Sequence, residues 1–101
     1  MRNKIQVNDM KHQAANAAKM LKVLANPARL MILCQLVEGE QSAGDLWSKS
    51  TLSQSAFSQH LSVLRKNKIV KTRKSSQVVY YALEDDKAVR ILEVLYRLYC
   101  R

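Results

Sequence analysis

Few residues of this 101-residue chain have the chemistry for catalysis or ligation. Two cysteines, Cys34 and Cys100, can act as thiolate nucleophiles or join as a bridge, and two histidines, His12 and His60, can ligate a metal or carry protons. Neither histidine belongs to a clustered set of His, Cys and acidic ligands at zinc spacing, so surface or partner-facing roles outweigh ligation and no metal or other cofactor is implied. There is no Cys-x-x-Cys, no βαβ pattern around either thiol, no glycine-rich phosphate loop and no paired-carboxylate pocket, which argues against an enzyme. A cysteine on an apolar helical face is commonly a small core hydrophobe, and that plainer reading stands for Cys34. Cys100 differs, because Arg97 and Arg101 flank it and positive charge favours a thiolate. A direct disulfide would need Cα atoms closer than about 7 Å, a distance that spacing alone does not set.

A second chemistry is carried by uncharged side chains. At 100° per residue, Phe57, Leu61 and Leu64 cluster within about 60° of one another on a helix. The opposite side carries Ser55, Ser58, Gln59, Ser62 and Lys66 and no acid. A merely solvated helix would pair Glu with Lys along that face. Glutamine can bond adenine through two hydrogen bonds, serine can bond bases or phosphates, and a helix N-terminus attracts phosphate. Ser53, Gln54, Ser55, Ser58, Gln59 and His60 are therefore expected in or beside a DNA major groove. Arg73, Lys74 and Gln77, with Lys71, fit a basic hairpin that holds the phosphate backbone while the helix reads bases. A neutral solvated helix and a generic solvated turn are the plainer alternatives for these two segments.

Composition favours the same partner. Seventeen Lys and Arg against eight Asp and Glu give a formal charge of +9, which attracts a polyanion and releases its counterions on binding. Double-stranded DNA is the expected partner; a membrane is not, since no run of about 18 apolar residues is present. Met1 to Asp9 is polar and offers no apolar core of a signal peptide. Cytoplasmic residence at the nucleoid follows, where thiols are kept reduced. With 48% hydrophobic residues in so short a chain, some apolar surface is expected to be covered by a second subunit.

The elements that must position these residues follow from periodicity and caps. Ala14, Ala17, Ala18, Leu21 and Leu24 recur at helical spacing and define a first helix, roughly Asn8 to Leu24. Asn26-Pro27 starts a second helix to about Val37, with Leu30, Leu33, Cys34 and Val37 on one stripe and Gly39 as its stop. Ser42 followed by Asp45 resembles a capping box and opens a short third helix to about Ser48, anchored by Leu46 and Trp47. After a break at Lys49 to Leu52, Ser53 caps a fourth helix to about Asn67. The pattern then becomes period two: Ile69, Val70 and the basic run are followed by Gln77 to Leu83, rich in β-branched and aromatic residues. The turn near Lys74 to Gln77 has no Gly or Asn, so a longer mobile loop is expected rather than a tight two-residue turn. Asp85 and Asp86 start a last helix whose stripe is Ile91, Leu92, Leu95, Leu98 and Tyr99. Two helices separated by about four residues and followed by a basic hairpin form a winged helix-turn-helix. The expected fold is mainly α with one β-hairpin, a single DNA-binding and dimerisation domain over residues 1–101.

The ordered motifs also resemble a known family. Ala25-Asn26-Pro27-Ala28-Arg29-Leu30 with Ile32-Leu33, Ser53 to Leu61 with Leu64-Arg65, and the ending Tyr80-Tyr81-Ala82-Leu83 are similar to the ArsR/SmtB winged-helix regulators. The resemblance implies the order α1-α2-α3-α4-β-wing-α5, a homodimer through helices one and five, and sequence-specific binding to operator DNA. Metal-sensing members keep Cys-x-Cys near helix three or Asp and His along helix five; here helix three reads Ala43-Gly44-Asp45-Leu46-Trp47 and helix five has no His. One Cys in helix two and one ending helix five instead resemble the dithiol (BigR/HlyU-like) subgroup, which responds to reactive sulfur species or oxidants. That resemblance assigns Cys34 and Cys100 as a redox or persulfide sensor pair of a repressor. The alternative is a redox-insensitive regulator or antirepressor with structural cysteines.

Overall fold

The computed structural model describes residues 4–100. Met1 to Asn3, part of the polar start read above, and Arg101, read above as a neighbour of Cys100, lie outside the described residues. Among the described residues the order is α1 (Val7–Leu24), α2 (Pro27–Leu36), β1 (Gln41–Ser42), α3 (Ala43–Ser48), α4 (Gln54–Lys66), β2 (Val70–Ser75), β3 (Val78–Leu83) and α5 (Asp86–Tyr99). This is the winged helix-turn-helix arrangement expected from the sequence.

Capping chemistry sets the helix starts. The Asn26 side chain accepts from the Arg29 N–H ahead of Pro27, Ser42 accepts from Asp45, Ser53 from Ala56 and Asp85 from Lys87. Each satisfies a donor that the helix leaves unpaired. The helix-turn-helix connection is fixed by two further bonds: the Trp47 indole N–H donates to the Leu52 carbonyl at 2.9 Å, and the Leu52 N–H to Ser50 Oγ at 3.0 Å.

One core cluster holds these elements together. Leu33 of α2, Leu46 of α3, Leu64 of α4 and the hairpin base Ile69-Val70 are its largest fully buried side chains. Val23 and Leu24 join from the end of α1, and Ala88 and Leu92 from α5. On α2 the buried residues are Ile32, Leu33 and Leu36, with Leu30 partly buried. Cys34 and Val37, placed on the core stripe by their spacing, are exposed. The reason is that α2 packs its core side against α4 and β3, so its Cys34 flank is left to the edge of α5.

The hairpin departs from expectation in two ways. The short strand β1 pairs with β3, giving an antiparallel sheet in the order β1-β3-β2, with Gln41 opposite Tyr81 and Ser42 opposite Tyr80. Two residues are too few to produce a period-two signal, so this strand was not legible. The wing turn is also tight rather than long: Ser75 pairs with Val78, leaving only Ser76 and Gln77 between the strands. Ser76 takes φ 57, the positive value that a two-residue hairpin turn demands at its first central position. Six registered pairs from Val70↔Leu83 to Ser75↔Val78 close the ladder and hold serine there despite its Cβ.

The end of α4 shows the same tension. The Lys68 N–H bonds the Arg65 carbonyl and the Ile69 N–H bonds the Leu64 carbonyl, both at 3.0 Å, with Lys68 at φ 60. This is a Schellman ending with lysine where glycine is usual, completed by apolar contact between its two flanking positions, Leu64 and Ile69. Replacing Lys68 or Ser76 by Gly should therefore stabilise the protein by about 0.5–1 kcal/mol each, because the Cβ penalty at positive φ exceeds the added chain entropy. Leu64→Ala should cost about 2–5 kcal/mol. Urea denaturation midpoints check both signs.

Candidate nucleic-acid interface and thiol pair

The core face of α4, Phe57, Leu61 and Leu64, turns the remaining side chains outward. Gln54, Ser55, Ser58, Gln59, Ser62, Arg65 and Lys66 are all exposed. Ser53 is exposed too, with its oxygen already accepting from the Ala56 N–H at 3.1 Å and its hydroxyl proton free to donate. His60 lies apart from this group. It is half-buried on the α2 side of the helix, where Nδ1 stands 3.3 Å from Nη1 of Arg29. Arg29 also donates from Nε to the Val23 carbonyl at 2.6 Å, so one guanidinium joins the end of α1, α2 and α4. The helical angle carries this information: His60 sits about 60° from Phe57 on the flank shared with Ala56 and Val63.

The wing presents Lys71, Lys74 and Gln77 to solvent. Arg73 is engaged differently. Its Nε donates to Oε2 of Glu40 and its Nη2 to Oε1, each at 2.7 Å, and its guanidinium lies 4.4 Å from the centroid of the Tyr80 ring. The hydrogen bond from Arg73, reinforced by the charges of Arg73 and Lys71, holds the Glu40 carboxyl below its ordinary value. Among the described residues, Lys71, Lys74 and Gln77 are thus free and exposed, as α4's outer face is, while the Arg73 charge is shared with Glu40 and His60 is turned away.

A signal that the residue types carry, but that helix-by-helix reading passes over, is the span of the acid-free segment. From Leu46 to Leu83 the chain has no Asp or Glu and seven Lys or Arg. That segment is the second half of α3, the turn, α4 and the wing, and every acid, Asp45 in the first half of α3 included, lies outside it.

On the opposite flank of α2, Cys34 lines a groove of about 500 Å³ with Val37, Glu38, Leu92, Glu93, Tyr96 and Arg97. Both thiols are free and exposed, Cys34 at the lip of this groove and Cys100 at the end of α5. Partial desolvation by the groove walls, and then negative charge on Cys100, push the Cys34 thiol above its ordinary value. The two sulfurs therefore share one electrostatic neighbourhood. Cys34 is not a core residue, which corrects the plainer reading of its apolar stripe. Among the described residues, no three of His, Cys, Asp and Glu are grouped as metal ligands would be.

Residues 26–72 match the family described as bacterial regulatory protein, arsR family. Over 95 residues the chain is 45% identical to the transcriptional activator HlyU of Vibrio cholerae, covering 94% of this chain and 88% of that protein. The solved structure of reduced HlyU from Vibrio cholerae N16961 is similar with a TM-score of 0.85 at 46% identity, covering 92% of this chain and 98% of that one. The transcriptional repressor BigR from Xylella fastidiosa gives a TM-score of 0.90 at 39% identity, covering 96% of this chain and 99% of that one.

The shared neighbourhood of the thiols has a measurable sign. Since desolvation and the Cys100 charge both disfavour the Cys34 thiolate, alkylation of Cys34 by iodoacetamide should titrate with a midpoint above that of an ordinary thiol. Cys100→Ser removes one of the two causes and should lower that midpoint, so that Cys34 reacts faster at a given pH. Peptide-resolved mass spectrometry across a pH series reads both midpoints.

Proposed function

Because the chain belongs to the arsR family of bacterial regulatory proteins, and is a DNA-binding transcriptional regulator rather than an enzyme, we propose that it is an operator-binding repressor whose DNA affinity is set by the state of Cys34 and Cys100. The observation that carries the DNA part is the exposed, acid-free outer face of α4 beside a basic wing. In this reading Gln54, Ser55, Ser58 and Gln59 meet base edges, Ser53 and the wing residues Lys71, Lys74 and Gln77 meet phosphates, and His60 supports α4 through Arg29.

The active form in this reading is a homodimer. Only Val23 and Leu24 of the 18-residue α1 are buried, while Val7, Met10, Ala14, Ala17 and Leu21 form an exposed seam at seven-residue spacing. Most helical stability in proteins comes from packing an apolar face, so a partner surface is needed to hold a helix this exposed. On α5, Val94 and Leu98 are likewise exposed beside half-buried Ile91. The Cα radius of gyration, 15.2 Å, exceeds the roughly 13 Å of a compact chain of this length, as two unpacked helices require. Two-fold pairing through α1 and α5 places two α4 helices about one turn of DNA apart. Residence in the cytoplasm, at the nucleoid, belongs to the same reading; among the described residues no helix is long and apolar enough to cross a membrane.

Thiol control is supported by the two free sulfurs sharing one neighbourhood at the α2–α5 groove, and by the likeness to a relative solved in a form called reduced. With a persulfide RS–SH, the Cys100 thiolate takes the outer sulfur and releases RS−. The Cys34 thiolate then attacks the Cys100 sulfur, forming the Cys34–Cys100 bond and expelling HS−. The link draws α5 toward α2, and because α5 also belongs to the subunit seam, the spacing of the two α4 helices changes. A tenfold change in operator occupancy requires only about 1.4 kcal/mol of coupling.

Gln59→Ala should weaken operator binding by about 1–3 kcal/mol and relax base preference at one position, measured by competition among single-base operator variants. Unchanged selectivity would remove α4 from the groove. Persulfide treatment should release operator DNA from the wild type and leave Cys34→Ser and Cys100→Ser bound, as read by fluorescence anisotropy. Release from all three proteins, or from none while the untreated wild type binds, rejects the thiol switch.

A further inference from the structure

The Arg73–Glu40 pair has a geometry that the wing's DNA role does not by itself require. Glu40 comes from outside the acid-free segment, in the connection between α2 and β1 that turns at Gly39 with φ 136. Strand β1 lies on the far side of β3 from β2. Arg73, opposite Tyr80 in the β2–β3 register, therefore extends over the Tyr80 ring to reach Glu40. It arrives with two parallel N–H···O bonds of 2.7 Å, one from Nε and one from Nη2. A flat guanidinium resting on an aromatic ring and presenting two donors side by side is the geometry that recognises either a carboxylate or a phosphodiester.

Resting on the reading of this chain as a DNA-binding regulator, we propose that the Arg73 fork over Tyr80 is a phosphate-binding site for the DNA backbone, and that Glu40 is its resident occupant, displaced when a duplex binds. The two carboxylate oxygens stand in for two non-bridging phosphate oxygens. The pair suits exchange because it is open to solvent, the Arg73 and Glu40 side chains being 56% and 35% exposed, and ion pairs so placed are weak and easily screened. Glu40 cannot stay when phosphate arrives, since it would hold a second negative charge against the same fork. The low pKa of Glu40 keeps the competitor charged through the neutral range. Eviction of Glu40 costs the same whether the wing alone or α4 as well holds the duplex, so Glu40 lowers affinity for random sequence and for an operator by the same factor. An operator, held also by α4, keeps its occupancy at protein concentrations where random sequence loses its own.

The test is a double-mutant cycle on binding of a fluorescein-labelled random-sequence duplex, followed by anisotropy over a series of KCl concentrations. Glu40→Gln should bind this duplex tighter than the wild type, on the order of threefold at low salt. In an Arg73→Gln background the same substitution should give no gain. A gain that persists without Arg73 would mean that Glu40 acts only as a distant charge, and would overturn the proposal. So would Glu40→Gln binding equally or more weakly, the result expected if the pair is a clamp that positions the wing. Melting curves accompany each variant, and Glu40→Ala repeats the cycle if the glutamine protein does not fold. A wild type that binds neither random duplex nor operator overturns the DNA reading itself, an outcome distinct from wild-type binding with an unaltered Glu40→Gln.

Discussion

Ile69 is the point at which the functional parts of this fold are tied. Its N–H closes the end of α4 on the Leu64 carbonyl, and its own carbonyl accepts from the N–H groups of Glu84 and Asp85, at the end of β3 and the start of α5. Its side chain is buried with those of Leu64 and Val70. One residue therefore fixes the exit of α4, the root of the wing and the entry of α5. Because buried backbone groups tolerate no loss of partners, these three elements can turn about the junction only as a packed unit. The core around it is small and nearly all aliphatic, so relative positions rest on interdigitation rather than on a polar network.

Arg29 provides a second tie of different character. It satisfies a carbonyl left open at the end of α1 and meets His60 on the flank of α4. Charged hydrogen bonds of this kind hold direction as well as distance. The long helix that projects from the molecule is thereby referenced to α4 without passing through the wing. What projects is mostly unpacked: α1 from Val7 to Lys19 is exposed throughout, so the chain's own core contributes little to holding that part of the helix.

Much of this was legible in the sequence, because caps and apolar spacing are local. Asn26-Pro27, Ser42 and Ser53 announced helix starts that the structure reproduces with the expected side-chain bonds. The outer face of α4 followed from the same angular argument. Four features were not legible, each for a non-local reason. Strand β1 exists because Gln41 and Ser42 find β3 and because the Gln41 side chain donates to the Gln35 carbonyl, neither of which leaves a periodic trace. The tight wing turn is imposed by six cross-strand pairs against the local preference of serine. The exposure of Cys34 depends on which flank of α2 faces α4, and that is decided by tertiary packing rather than by the stripe on which the residue falls. His60 could have been placed correctly from its helical angle, whereas the attachment of Arg73 to a glutamate 33 positions away could not.

The long stretch without acids has a kinetic meaning as well. Seven cations and no acid lie between Leu46 and Leu83, and all eight acids lie outside that segment, so positive and negative charge are offset along the chain as well as unequal in number. Such a molecule carries an electric dipole. Approaching a duplex, it experiences a torque as well as a pull, and it tends to rotate its cationic side forward before contact. In the proposed two-fold pair the components perpendicular to the axis cancel and those along the axis add, so both α4 helices turn toward the same side together. Capture then wastes fewer collisions on wrong orientations, and salt slows the encounter by blurring the direction of approach as well as by weakening the attraction.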